Sequence, residues 1–267
     1  MTEQRIAVNG GVELHQGNGA NMLAVPSNGA ALVLTSPPYF SSETEALLLA
    51  PRAEQTRLEE VRSQVVAFAL TLRGVFEEAF RVACPGGILV LQTKNLRYGG
   101  YLVPVASIHE ELAESAGFRL VSRVFWRRTH DSVRHTNRKH LRKLARAGQY
   151  RAMDVEDFLV FRKPGSPPEL PIDTESLTDE QLDELLSPLW VLPGPGPGGH
   201  PHASPPRVAE RFVTLFTRPG DLVVDPFAGG GTYLQVSARL GRRAVGYEID
   251  RNHYLLGERR LSRAGRT

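Results

Sequence analysis

Five consecutive residues, Thr35-Ser36-Pro37-Pro38-Tyr39, close the short apolar run Ala30-Ala31-Leu32-Val33-Leu34. The run reads as a buried strand stopped by two prolines, and open α/β sheets place their chemistry at such strand ends. The prolines stiffen the turn and leave carbonyl oxygens with no competing N–H groups of their own. A carbonyl held in this way accepts a hydrogen bond from an amino group. Ser36 offers a second acceptor, and Tyr39 offers a face on which a flat ring can stack. A second cluster, Asp225-Pro226-Phe227-Ala228-Gly229-Gly230-Gly231-Thr232, lies between a predicted strand at Leu222–Asp225 and a predicted helix at Thr232–Leu240. Its glycines let the backbone turn sharply and approach a ligand closely. Glu248 ends the next strand, seventeen positions after Gly231. An acid at that place in a nucleotide-binding α/β fold holds ribose hydroxyls. The segment lacks a Gly-Lys-Ser/Thr ending, which disfavours ATP or GTP, and a dinucleotide remains open at this point.

The elements around these turns alternate in type. Residues 56–83 have helical spacing, with Val65, Phe68, Leu72, Phe76 and Phe80 on one stripe, and Pro85-Gly86-Gly87 is expected to break that helix. Ile88–Leu91, Arg119–Trp126, Phe158–Phe161 and Ala244–Glu248 read as strands. His109–Ala116 reads as a helix closed by Gly117, and Thr178–Leu186 as an acidic helix capped by Thr178. Ser204–Phe216 reads as a helix with Pro205 and Pro206 in its first turn. Lys163–Pro171 is a proline-rich linker and Pro193–Gly199 a flexible loop. Strands alternating with helices imply an α/β fold with a mostly parallel sheet and helices on both faces. The two turns close different strands, so a change at Ser36 is expected to leave the glycine turn intact.

At 267 residues and 41% hydrophobic content the chain can bury a substantial core. No apolar run is long enough to span a membrane and no signal peptide is read, so no membrane partner is expected. Cys84 is the single cysteine, which excludes an internal disulfide framework and disfavours a cysteine zinc site; no metal is expected, and a reducing cytoplasm fits. Net charge is only +3, but its distribution is uneven. Arg123–Arg151 holds eight arginines and two lysines against one acid, Asp131. Gly165–Ser187 holds seven acids and neither Lys nor Arg. The first segment suits phosphates and the second suits water.

Together the two turns resemble those of the amino-group DNA methyltransferases, acting on cytosine N4 or adenine N6. The order, with the catalytic motif first and the cofactor motif last, is similar to the permuted beta group of TSPPY type. Leu14-His15-Gln16-Gly17-Asn18 resembles the family's early strand and Gly-Asp turn, with Asn18 where Asp is usual. Phe76–Leu91 looks like the helix and strand after the catalytic motif. His200–Phe212 looks like the helix before the cofactor strand, with Ser204 where an aromatic often lies near the adenine. Phe227–Gly231 fits the family's Phe-x-Gly-x-Gly core.

The resemblance implies a Rossmann-like S-adenosylmethionine-dependent methyltransferase fold with a basic recognition insertion. Its catalytic half would span residues 1–122 and the insertion 123–157. The last strand with the acidic and Pro-Gly linker would span 158–199, and the cofactor half 200–267. S-adenosylmethionine would be held by Asn18, Thr35, Ser204, Asp225, Phe227, Ala228, Gly229, Gly231, Thr232 and Glu248. Ser36, Pro37, Pro38 and Tyr39 would be catalytic. Arg127, Arg128, Arg134, Asn137, Arg138, Lys139, Arg142, Lys143 and Arg146 would contact DNA, with arginine suited to guanine and basic groups to phosphates. Double-stranded DNA is the implied partner, with a cognate restriction endonuclease and a homodimer as further candidates, in a cytoplasmic, nucleoid-associated setting. Ser36 leans the reaction toward cytosine N4, with adenine N6 as the alternative. Methyltransferases of protein glutamine or RNA that share a Pro-Pro-Tyr turn place the cofactor motif first. A DNA-binding protein with a degenerate site is disfavoured by the intact turns. Methylation at carbon 5 needs a cysteine nucleophile in a Pro-Cys context, whereas Cys84 precedes Pro85 and reads as a small buried residue at a helix end.

Overall fold

A computed structural model describes residues 4–8, 11–49, 57–129, 142, 145–146, 155–166, 177–193 and 205–264. The chain begins with strands β1 (Gln4–Val8), β2 (Val12–Gln16) and β3 (Ala30–Thr35), then helices α1 (Ser42–Leu49), α2 (Leu58–Thr71) and α3 (Arg73–Val82). Next come β4 (Ala83–Thr93), a hairpin of β5 (Leu96–Tyr98) and β6 (Tyr101–Val103), α4 (Val105–Ser115), β7 (Arg119–Thr129) and β8 (Val155–Arg162). The rest is α5 (Asp179–Leu186), β9 (Leu189–Pro193), α6 (Pro206–Phe216), β10 (Leu222–Asp225), α7 (Thr232–Arg239), β11 (Arg243–Glu248) and α8 (Arg251–Ala264).

One nine-stranded sheet runs β1-β2-β11-β10-β3-β4-β8-β7-β9. The stretch from β2 to β4 is parallel throughout. β8 is antiparallel to β4 and β7 to β8, while β9 lies parallel to β7 at the edge. Side chains alternate across a strand. In β3, Val33 enters one core with Phe76, Ala79, Leu112 and Ala113 of α3 and α4. Leu32 and Leu34 enter the other, with Val208, Phe212 and Val213 of α6 and Val236 of α7. Burial on both faces explains the unbroken apolar run at 30–34. The second core is rich in rings. Phe212 lies 4.8 Å from Trp190 and 5.1 Å from Phe158 between centroids, and Trp126 Nε1 donates to the Leu192 carbonyl at 3.1 Å. Rings of this size stabilise by roughly 1.5–3 kcal/mol each on burial.

The mostly parallel α/β sheet with helices on both faces is as expected. Several local expectations need correction. The long helix at 56–83 is two helices meeting at Leu72, which caps both. The stripe divides with them: Val65 packs in a cluster with Tyr98 and Val103, whereas Phe76 packs on the main sheet. Pro85-Gly86-Gly87 lies inside β4 and does not end a helix. Gly86 has φ of 76°, its N–H donates to the Lys163 carbonyl, and the pairing of β3 with β4 shifts register there. The glycines thus form a bulge stapled to the end of β8. α4 starts at Val105, earlier than His109. Within 158–199 the sheet gains the edge strand β9 beyond the single strand expected. α5 forms as read, with Thr178 and Gln181 in a capping box. Of the flexible loop read at Pro193–Gly199, Pro193 ends β9 and the rest lies outside the described residues.

Candidate functional site

Because β2, β11, β10, β3 and β4 are parallel neighbours, their C-terminal ends share one rim. β10 and β3 are adjacent, so the two turns read from sequence stand side by side. They are joined: Thr35 Oγ1 donates to Asp225 Oδ1 at 2.6 Å, with both residues buried. The same Oδ1 accepts the Phe227 N–H at 3.1 Å and so shapes the glycine turn. The expected independence of the two turns therefore gives way to direct contact, because the strand order brings together residues 190 apart in sequence.

Glu248 ends β11 beside this junction. Its Oε2 accepts the Gly229 N–H and its Oε1 the Asp250 N–H, each at 2.8 Å. A carboxylate offers about four acceptor positions, so two backbone bonds leave capacity for hydroxyls. Gly229 and Gly231 have φ of 51° and 73°, values that disfavour other residues. A side chain on Gly229 would meet nothing within 4 Å, so its φ and not crowding calls for glycine, and open space lies beside it. Gly246 is different: a β-carbon there would come within 2.6 Å of Leu234, so glycine lets α7 pack on β11.

Ser36 and Tyr39 are half-buried, Pro37 is buried and Pro38 is exposed. Tyr39 packs with Phe40 against the cluster of Val61, Val65, Tyr98, Val103 and Val105. An apolar cleft of about 190 Å³ lies between the two turns and α3, lined by Thr35, Pro37, Phe76, Pro226 and Phe227 among others. Asn18 is exposed and its side chain accepts the Ala20 N–H at 2.9 Å. The Thr232 hydroxyl accepts from Arg260 of α8. Ala228 is buried and its N–H donates to the Tyr247 carbonyl at 2.9 Å. The structure thus gathers Thr35, Asp225, Phe227, Ala228, Gly229, Gly231, Thr232 and Glu248 on linked strand ends, next to Ser36–Tyr39. Ser204, Arg134, Asn137, Arg138, Lys139 and Lys143 lie outside the described residues. Arg127 and Arg128 belong to the end of β7, and Arg142 and Arg146 are exposed.

Three features of the site escaped the sequence reading. Gly19 sits where a β-carbon would approach the Pro226 carbonyl to 2.5 Å, locking the turn after β2 onto the glycine turn. The run Gly17-Asn18-Gly19 was its signal. Ile249 follows Glu248 with 69% of its surface exposed, a large apolar wall at the rim. His109 is fully buried under Tyr39, 6.2 Å between ring centroids, with Nδ1 3.1 Å from Thr93 Oγ1. Its even spacing on an apolar helix face gave no hint. Cys84 lies in β4, not at a helix end, and is only partly buried. Burial pushes its thiol up, the reverse of an activated nucleophile.

Burial acts in opposite directions on two groups here. It pushes the Asp225 carboxyl up to about 7, with Glu248 adding to the effect against the Thr35 and Phe227 hydrogen bonds. It pulls His109 down to about 4. From roughly pH 4 to 6.5 the folded chain holds an extra proton at Asp225 and the unfolded chain one at His109. Each group alone gives a slope of at most about 1.4 kcal/mol per pH unit, and the two oppose. Asp225 favours folding at low pH and loses that effect as pH rises through about 7. His109 favours folding at higher pH and loses that effect as pH falls through its folded value. Relative to wild type, Asp225→Asn should therefore make the melting temperature climb with pH across this window. His109→Gln should make it fall. Thermal melts without cofactor from pH 4 to 7 check both signs, and either slope reversed contradicts the assignment.

The sequence matches the N6_N4_Mtase family, described as DNA methylase, over residues 30–259. It is 28% identical to the type II methyltransferase M.MjaI of Methanocaldococcus jannaschii, across 88% of this chain and 86% of that one. The fold is similar to that of TTHA0409 of Thermus thermophilus, named for DNA modification methylase activity and solved with S-adenosyl-L-methionine. The TM-score is 0.70 and identity 28%, over 94% of this chain and 93% of that one. The PvuII DNA methyltransferase, cytosine-N4-specific, shares the fold at a TM-score of 0.67 and 17% identity, over 96% and 92% of the two chains. The glycine turn, the Ser-Pro-Pro-Tyr turn joined to it and a family match over most of the length lead to one conclusion: the chain belongs to the N6/N4 DNA methylase family.

Proposed function

We propose that this S-adenosylmethionine-dependent DNA methyltransferase modifies the N4 amino group of cytosine at a specific site in double-stranded DNA. The observation that carries the reading is the Thr35–Asp225 bond, which sets Ser36 directly beside the cofactor turn. The residues present fit the cofactor. Glu248 has acceptor capacity for ribose hydroxyls, Ile249 and Phe227 offer apolar surface for an adenine, and Gly229 opens onto free space. When bound, the cofactor supplies an electrophilic methyl group. Ser36 Oγ and the carbonyl of Pro37 or Pro38 accept the two N–H bonds of the base amino group. This localises a lone pair otherwise delocalised into the ring, and fixed acceptors of this kind act chiefly by positioning and electrostatics. The proton is lost once the nitrogen is methylated, so no strong base is needed before attack. Tyr39 holds the extruded ring by stacking. Serine at the first position favours cytosine. The catalytic motif preceding the cofactor motif supports the permuted beta group, with residues 1–122 and 200–267 as its two halves.

DNA is the substrate that the basic segment 123–157 suits. Labelled methyl groups from S-adenosylmethionine should enter unmethylated plasmid and stop at a fixed number per molecule; label that never saturates contradicts site specificity. Neutralising Arg138, Lys139, Arg142 and Lys143 together should weaken DNA binding. It should also flatten the salt dependence by roughly 0.9 for each phosphate that the variant no longer neutralises, with cofactor affinity unchanged. DNA binding that holds at every salt concentration would make the segment a solvated face.

A further inference from the structure

The hairpin β5–β6 springs from the end of β4, on the same rim as the catalytic turn. Tyr98 pairs with Tyr101 across Gly99 and Gly100, whose φ values of 58° and 91° make a tight two-residue turn. A hairpin this short is marginal alone. Here its root is pinned. Leu96, Tyr98 and Val103 pack in the same cluster as Tyr39 and Phe40, and Asn95 Oδ1 accepts the Ala106 N–H at 3.0 Å. The tip is built in the opposite way. Tyr101 is 64% exposed and Leu102 53%, and exposed Arg97 stands opposite Leu102. Two large apolar side chains at the end of a stiff, anchored hairpin add little to the core, so the fold does not account for them.

We propose that the hairpin tip, Tyr101 with Leu102, is a wedge that enters the DNA base stack beside the target nucleotide while Arg97 meets the adjoining phosphate. The inference rests on the proposed DNA-methylating function. A base in a duplex must leave the stack before Ser36 can reach its amino group, and apolar side chains inserted at a base step offset the unstacking. The cluster shared with Tyr39 ties the wedge to the residue that receives the extruded ring.

The test uses the full chain and the site mapped from methylated plasmid, placed in two short duplexes. In one the target base is correctly paired, and in the other it is mispaired and already loosened. Tyr101→Ser with Leu102→Ser should lower kcat/KM on the paired duplex by roughly tenfold or more, since unstacking costs a few kcal/mol per step. On the mispaired duplex the loss should be under about threefold, because a mismatched base costs least to extrude. An equal loss on both duplexes, or no loss on either, overturns the wedge. A wild-type enzyme that methylates neither duplex overturns instead the function on which the wedge rests. Both side chains are exposed, so the variant should keep the wild-type melting temperature.

Discussion

Ser36→Ala lowers the rate of methyl transfer by on the order of 10²- to 10³-fold, the cost of removing one fixed partner of a charge-developing group. Affinity for S-adenosylmethionine changes little, because the junction to the cofactor turn runs through Thr35 and not through Ser36. The Pro37 or Pro38 carbonyl is left as the lone acceptor, so one N–H of the amino group is unpaired and the nitrogen lone pair stays in the ring. Single-turnover rates at saturating cofactor, with binding measured by calorimetry, separate the two effects. A loss in cofactor affinity as large as the loss in rate would mean that Ser36 shapes the turn and does not take part in the chemistry.

The second large effect belongs to Thr35→Val. The substitution keeps the shape of the side chain but removes the donor to Asp225 in a site where both residues are buried. An acid left short of a partner costs about 1–3 kcal/mol, more if it is charged. Unlike Ser36→Ala, this change should lower cofactor affinity and kcat together, each by roughly 5- to 100-fold on that energy scale. The Thr35 bond holds the Asp225 carboxyl down against burial, so its loss should move the titration of Asp225 further upward. Combined with Asp225→Asn the effects should fall well short of additive, since both substitutions break one contact. Additive losses in the double variant would deny that the two turns act as a unit.

The chemistry-bearing turns were legible because each packs its signal into a few adjacent residues. Paired prolines after an apolar run and glycines between a strand and a helix have little other use. Their contact was not legible, since it depends on β10 and β11 entering the sheet between β2 and β3. No local pattern encodes that order. The β5–β6 hairpin escaped because three-residue strands are too short to show alternation. α8, Arg251–Ala264, escaped because its arginines dilute the apolar face that packs Tyr254 and Leu261. The apparent single helix at 56–83 kept its apolar spacing across Leu72 although its two halves serve different clusters. His109 was missed for a related reason: a buried histidine on an apolar face reads as core.

The most direct test of the account is the identity of the methylated nucleoside. DNA treated with the protein and labelled S-adenosylmethionine is digested to nucleosides and resolved by mass spectrometry. Two acceptors at Ser36 and the adjoining proline carbonyl, with Tyr39 beneath the ring, lead to N4-methylcytosine as the product. N6-methyladenine without N4-methylcytosine contradicts the base assignment, and 5-methylcytosine contradicts the amino-group mechanism itself.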